Sequence, residues 1–187
     1  MSMKDIILFG VPWCGKGTQA ELLLEKLGDA LSHLSTGDVF RALTSQPNAI
    51  GKYVKNRMES GMLIDDQVTI WLFHSYFYTV LDDKKYMLLD GYPRSIEQMN
   101  DLQEIAQKNN RKVVWIYFQV FEEETIKRIL WRGRPGETED VIRIRLQEYY
   151  THTQPILDAF SQRWELIKVD ANGSVEDIHI DVMKAVQ

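Results

Sequence analysis

Apolar residues along this chain fall into short unbroken runs, separated by longer stretches in which they recur every three or four positions. Asp5 to Phe9 (DIILF) is one such run, ending at Gly10. It predicts a buried strand entering a turn. From Gly17 to Leu27, Ala20, Leu23, Leu24 and Leu27 return at helical spacing and Gly28 supplies a stop, as expected of a helix end. The same alternation recurs at Tyr86 to Asp90 with a helix from Ser95 to Lys108, and at Lys112 to Phe118 with a helix from Glu122 to Trp131. It returns once more at Trp164 to Val169, with a helix from Ser174. Leu31 to Leu34 adds a short strand. Runs that are apolar on both faces and alternate with helices predict an α/β fold: a five-stranded parallel sheet covered by helices on both sides.

Two segments break the alternation. Residues 37–66 read as short helices punctuated by Pro47, Gly51 and Gly61, and Gly133-Arg-Pro-Gly-Glu137 separates one helix from the next. Both are expected to be mobile flaps on one domain. The helix predicted over Val68 to Leu81 carries Trp71, Phe73, Tyr76, Phe77 and Tyr78. Aromatics at helical spacing favour core packing over base stacking.

Composition narrows the function. At 187 residues with 44% apolar and 26% charged positions, the chain suits a single ordered domain, 1–187. A net charge of −5 argues against general nucleic-acid binding, which needs clustered positive charge. Local arginine clusters can still hold a small polyphosphate. The single cysteine, Cys14, excludes an internal disulfide and a multi-cysteine zinc site, and fits a reducing cytoplasm. The apolar run Ile6 to Phe9 is too short for a signal or membrane helix, so no membrane partner is expected.

The chemistry begins at Gly10-Val-Pro-Trp-Cys-Gly-Lys16. Its glycines and lysine match the first seven positions of a phosphate-binding loop, and it lies between a predicted strand and a predicted helix. Backbone N–H groups wrap an anion, the helix N-terminus adds positive potential and Lys16 reaches the outer phosphates. The next residue is Gly17 where that pattern has Ser or Thr, and the hydroxyl comes at Thr18. Mg²⁺ readily keeps waters and binds through substrate phosphates. The metal expected here is therefore Mg²⁺ held by nucleotide and water, with Thr18 and Asp90 as candidate protein contacts. Asp90 could orient those waters, or cap the turn before Tyr92-Pro93.

Lys16-Gly-Thr-Gln19 resembles the adenylate kinases and related nucleoside-monophosphate kinases. So do, in matching order, Leu34-Ser-Thr-Gly-Asp38 with Arg41, Gly61-Met-Leu-Ile64, Asp90-Gly-Tyr-Pro-Arg94 with Gln98, an arginine series from Arg128 to Arg145, and Val169-Asp-Ala-Asn-Gly-Ser174. The resemblance implies a P-loop kinase fold with an acceptor-nucleotide insertion at 36–66 and a short lid at 132–140. It implies reversible phosphoryl transfer from ATP to AMP giving two ADP, by a cytoplasmic monomer. Phosphoryl transfer needs alignment and charge cancellation more than covalent help, and arginine forks supply both. By resemblance, Gly10, Trp13, Cys14, Gly15, Lys16, Gly17, Thr18, Arg128, Arg132 and Gly173 bind ATP. Thr36, Arg41, Met62, Leu63, Ile64, Gly91, Arg94, Gln98, Arg134 and Arg145 bind AMP. Lys16, Arg94, Arg132, Arg134 and Arg145 carry the catalytic charge. Thr36 and Gln98 are the adenylate choices, where uridylate–cytidylate relatives tend to have alanine and asparagine. The alternatives are a kinase preferring UMP or CMP, or a nucleotide-binding module with weak catalysis.

The chain departs from the family pattern in two places. Family lids usually read Gly-Arg-x-Asp-Asp; here Arg132-Gly-Arg134 is compressed, with Gly136-Glu137 in place of the acidic pair. An alternative register takes Glu139 and Asp140 as that pair. A clipped lid shields the site less from water, and ATP hydrolysis without acceptor is expected. The second departure is Trp13, where the family has glycine. A glycine-only conformation there would cost a bulky residue about 1–3 kcal/mol, but the general loop pattern leaves the position free. The reading preferred from sequence is an indole pointing away from the phosphate nest, the competing one an indole leaning over the donor site or the lid. Cys14 is expected to be a packed residue.

Overall fold

The computed structural model describes residues 3–132, 138–160 and 165–186. Among them, five parallel strands form one sheet in the order β2-β3-β1-β4-β5. The strands are β1 (Asp5–Phe9), β2 (Leu31–Ser35), β3 (Tyr86–Asp90), β4 (Val113–Gln119) and β5 (Glu165–Asp170). β1 runs between β3 and β4, with Ile7 opposite Leu89 on one side and Trp115 on the other. Winding reverses at β1, so the crevice beyond its carboxyl end is where such folds take ligands.

The apolar runs supply both faces of the sheet. Ile6 and Leu8 pack with α1 (Lys16–Leu27) and α9 (Val175–Val186), whereas Ile7 and Phe9 pack with α4 (Asp66–Thr79), α5 (Ile96–Lys108) and α8 (Pro155–Phe160). This is the period-two consequence of the strand pleat. Each fully buried Leu or Ile contributes about 1.5–3 kcal/mol. Between β2 and α4, α2 (Thr36–Leu43) and α3 (Ala49–Glu59) enclose a small separate core, Phe40, Val54 and Ile64. α6 (Glu122–Arg132) and α7 (Glu139–Glu148) stand on either side of residues 133–137.

Caps explain several boundaries. Ser35, Asn48, Ser95 and Thr138 each accept a bond from a backbone N–H three residues on, starting α2, α3, α5 and α7, and such caps are worth about 1 kcal/mol. Glu139 and Asp140 fall in the first turn of α7, and Asp140 pairs with Arg143. Acids there complement the helix dipole.

The aromatic helix needs a correction. α4 spans Asp66–Thr79, two residues earlier than its predicted start. Phe73, Tyr76 and Phe77 are buried, and Phe73 stacks on Tyr92 at 4.6 Å, but Trp71 and Tyr78 are exposed. Only one side of α4 faces the sheet, so the other side's aromatics stay outside.

Candidate active site

One continuous cavity opens at the carboxyl ends of β1, β2 and β3. It is lined on one side by Gly10, Trp13, Gly15, Lys16, Gly17 and Thr18, and on the other by Thr36, Arg41, Met62, Leu63, Ile64, Gly91, Arg94 and Gln98, with Arg145 and Asp90 also on its wall. The donor and acceptor motifs read from sequence thus share one space. Cys14, Arg128 and Gly173 do not line it.

The loop side is built around Lys16. Its ammonium donates to the Gly10 carbonyl at 2.7 Å and the Val11 carbonyl at 2.9 Å, crossing back over the loop. α1 begins at Lys16, and its N-cap residue Gly15 offers no side-chain bond to the first amides, which leaves a helix N-terminus suited to an anion. Cys14 is fully buried in the core, as expected. Arg128 braces this loop from behind: it donates to the Cys14 carbonyl at 3.0 Å and the Ala171 carbonyl at 2.7 Å, and pairs with Glu124 at 3.0 Å. Its guanidinium is engaged with protein groups, tying the loop to the turn after β5. Gly173 is exposed on that turn.

Trp13 overturns the reading preferred from sequence. Its φ is 66°, the left-handed region in which a bulky residue is strained, so the position is one that favours glycine after all. The indole does not turn away. It lines the cavity, with the Arg145 guanidinium carbon 6.0 Å from its ring centroid, within cation–π range.

The wall facing the loop is built on the turn after β3. Gly91 has φ 83°, and a Cβ there would come within 2.7 Å of the Thr36 hydroxyl and 2.8 Å of the Arg94 guanidinium. Only glycine permits that approach. Thr36, buried, donates to the Gly91 carbonyl at 2.9 Å, and Arg94 Nε donates to the same carbonyl at 2.8 Å. Burial, above all, pulls the Arg94 guanidinium below the ordinary arginine range; Asp90 opposes this, while Arg145 and Arg41 add to it. Three arginine charges therefore converge on one wall. Arginine stays protonated under that pressure, and a polyanion relieves it. Arg41 pairs with Asp38; burial opposes ionisation of that carboxyl, but Ser35 and Arg41 together hold it below its usual range.

Gln98 is buried with its amide held on both sides, accepting from the Arg94 N–H at 2.8 Å and donating to Asp66 at 2.7 Å. The Leu63 backbone is also engaged: its N–H donates to Glu148 at 2.9 Å, and its carbonyl accepts from Arg57 at 2.8 Å. Sequence reading missed Asp66, Arg57 and Glu148. Glu148 follows Arg145 by three positions and so shares its helix face, the one signal that could have marked it. Arg134 and the Arg132 side chain lie outside the described residues.

For Mg²⁺, the donor set is sparse. Asp90 carries a carboxylate on the cavity wall, with Oδ2 3.7 Å from where a Cβ on Gly17 would sit, and Thr18 is exposed beside it. Among the described residues no group of three or more His, Cys, Asp or Glu side chains could hold a metal. Mg²⁺ that keeps its waters needs few protein ligands, and Asp90 is a carboxylate present on the wall for them.

A phosphate-binding loop at the switch point of a parallel sheet defines a P-loop α/β protein. Comparison with known proteins narrows this further. The family model described as adenylate kinase matches residues 8–165. The adenylate kinase of Corynebacterium urealyticum is 40% identical over 174 residues, covering 92% of this chain and 93% of that protein. That of Nocardia farcinica is 38% identical, covering 96% and 97%, and that of Bacteroides thetaiotaomicron 33% identical, covering 98% of each. The chain belongs to the adenylate kinase family. Among the described residues no helix is long and apolar enough to cross a membrane.

Proposed function

We propose that this protein transfers a phosphoryl group reversibly from ATP to AMP, giving two ADP. The observation that carries this reading is the shared cavity, in which the loop with Lys16 faces a wall carrying Arg41, Arg94 and Arg145. A module that bound one nucleotide would need cations on one substrate only. An oxygen of the AMP phosphate attacks the γ-phosphorus of ATP, and the bond to the β–γ bridging oxygen breaks, releasing ADP; the AMP, now extended by one phosphoryl group, is the second ADP.

The chain's own residues align and neutralise. Gly10, Trp13, Cys14, Gly15, Lys16, Gly17 and Thr18 are assigned to ATP, together with Arg128 and Arg132 of α6 and Gly173 on the turn after β5. Arg128 acts by holding the Cys14 and Ala171 carbonyls. Arg41 and Arg94 are assigned to the acceptor phosphate, and Arg145, with Arg132 and Arg134, to the transferring group. The acceptor base is assigned to Thr36, Met62, Leu63, Ile64, Gly91 and Gln98. Mg²⁺ bound with the phosphates would offset their charge, and Asp90 and Thr18 are assigned to hold its waters. We assign 36–66 to the acceptor insertion and 132–140 to the lid, in a monomer working in a reducing cytoplasm.

Purified protein is incubated with MgATP and each of AMP, CMP, UMP and GMP, or with no acceptor, and the products are separated by chromatography. Diphosphate from AMP well above that from the other three is expected, with slow ATP hydrolysis in the acceptor-free control. Diphosphate mainly from CMP or UMP would replace the reading with a pyrimidine kinase, and none from any acceptor would leave a binding module.

A further inference from the structure

Gln98 is 1% exposed, lines the acceptor wall of the cavity, and has no freedom to turn over. Its Oε1 accepts from the backbone N–H of Arg94 at 2.8 Å, and its Nε2 donates to Asp66 Oδ1 at 2.7 Å. A backbone N–H can only donate and a carboxylate can only accept. The amide is therefore fixed one way round by the chemistry of its two partners. What remains for a ligand is one lone pair on Oε1 and one N–H on Nε2.

A 6-aminopurine presents a donor, the exocyclic N–H, beside an acceptor, N1. It matches those two free positions. A 6-oxopurine presents the reverse, the O6 acceptor beside an N1–H donor, and matches only if the amide oxygen and nitrogen exchange places. A freely turning glutamine would accept both bases. Here the exchange would set Nε2 against the Arg94 N–H and Oε1 against the Asp66 carboxylate, leaving buried polar groups mispaired, which is costly.

We infer that Asp66 is a specificity-determining positioning residue: by locking the Gln98 amide it makes the acceptor site reject GMP and IMP in favour of AMP. The inference rests on the acceptor reading given above. Asp66 does not line the cavity and acts only through Gln98. A purely structural role, as an acid in the first turn of α4, would change stability and leave the choice of base alone.

The test compares kcat/KM for AMP and IMP in the wild type, Asp66→Asn and Asp66→Glu. The asparagine amide can donate to an exchanged Gln98, whereas the longer carboxylate keeps an acceptor there. The AMP-to-IMP ratio is expected to fall about tenfold or more in Asp66→Asn, a change of about 1.4 kcal/mol, through a lower KM for IMP. Asp66→Glu is expected to retain most of the ratio. Asp66→Ala, which leaves only the Arg94 N–H to hold the amide, is the second variant if Asp66→Asn does not fold by circular dichroism, and its ratio is expected to fall as well. An unchanged ratio in a folded variant, or equal loss for both acceptors, would overturn the inference. Calorimetric titration of AMP and IMP reads the same ratio without turnover. A wild type that binds AMP over IMP but transfers nothing would therefore contradict the kinase reading and not this one.

Discussion

Trp13 carries two opposed consequences of one substitution. Its left-handed backbone, φ 66°, costs about 1–3 kcal/mol of strain relative to glycine. Its ring gives Arg145 a surface to lie on, 6.0 Å from guanidinium carbon to centroid, worth about 0.5–1 kcal/mol where water still reaches it. Arg145 is one of the cations assigned to the transferring group. Trp13→Gly is therefore expected to lower kcat/KM for ATP and AMP about two- to fivefold in steady-state assays; unchanged kinetics would mean that the indole only fills space. The phosphate loop was readable in the sequence because its spacing is local, Gly10 to Lys16. The conformation of Trp13 was not, because a free position in a pattern says nothing of φ. The orientation of Gln98 was equally hidden, since its partner Asp66 lies 32 positions away and belongs to a different helix.

Among the elements, the contact between the segment proposed to bind the acceptor and α7 does the most to shape the site. Gly61, φ 77°, lets α7 pack on the insertion so closely that a Cβ would stand 2.8 Å from the Val141 carbonyl and 3.4 Å from Arg145 Cγ. The bond from the Leu63 N–H to Glu148 fastens the other end of the same contact. Gly61→Ala is expected to cost about 1–3 kcal/mol, seen as a lower urea midpoint, and to raise KM for AMP as α7 carries Arg145 away from the acceptor wall. A midpoint and KM like those of the wild type would show that α7 yields without consequence. The strands and the helices that follow or precede them along the sheet were readable from apolar runs and periodicity, because pleat and helical period act within a few residues. The outward-facing aromatics of α4 did not, since periodicity finds a helix without saying how much of it the sheet covers. The pairing of α7 with Gly61 rests on contacts between positions some eighty residues apart, which no local pattern encodes.

Taken whole, an acidic chain concentrates arginine charge where two polyanions must meet, and surrounds it with a core whose buried tyrosines favour neutral or moderately basic solution. Burial pushes the Tyr76 phenol up to about 12, and raises Tyr92 and Tyr149 as well. These groups keep their protons longer in the folded than in the unfolded chain. Their contribution is thus fully present below the ordinary tyrosine value near 10 and is lost as pH rises above it, over pH 10 to 12 for Tyr76. For Tyr76 alone the loss is on the order of 3 kcal/mol. Urea titrations at pH 8 to 11.5 are expected to give a constant midpoint to about pH 9.5 and a falling one beyond; a flat profile would place those phenols in contact with water.

The two-nucleotide cavity makes its strongest demand in the reverse direction. Purified protein supplied with Mg²⁺ and ADP alone, followed by phosphorus NMR or chromatography, is predicted to form ATP and AMP in nearly equal amounts, with phosphate appearing only much more slowly. Phosphate release with AMP but no ATP, or ADP left intact by protein that binds it, would contradict transfer between two adenine nucleotides.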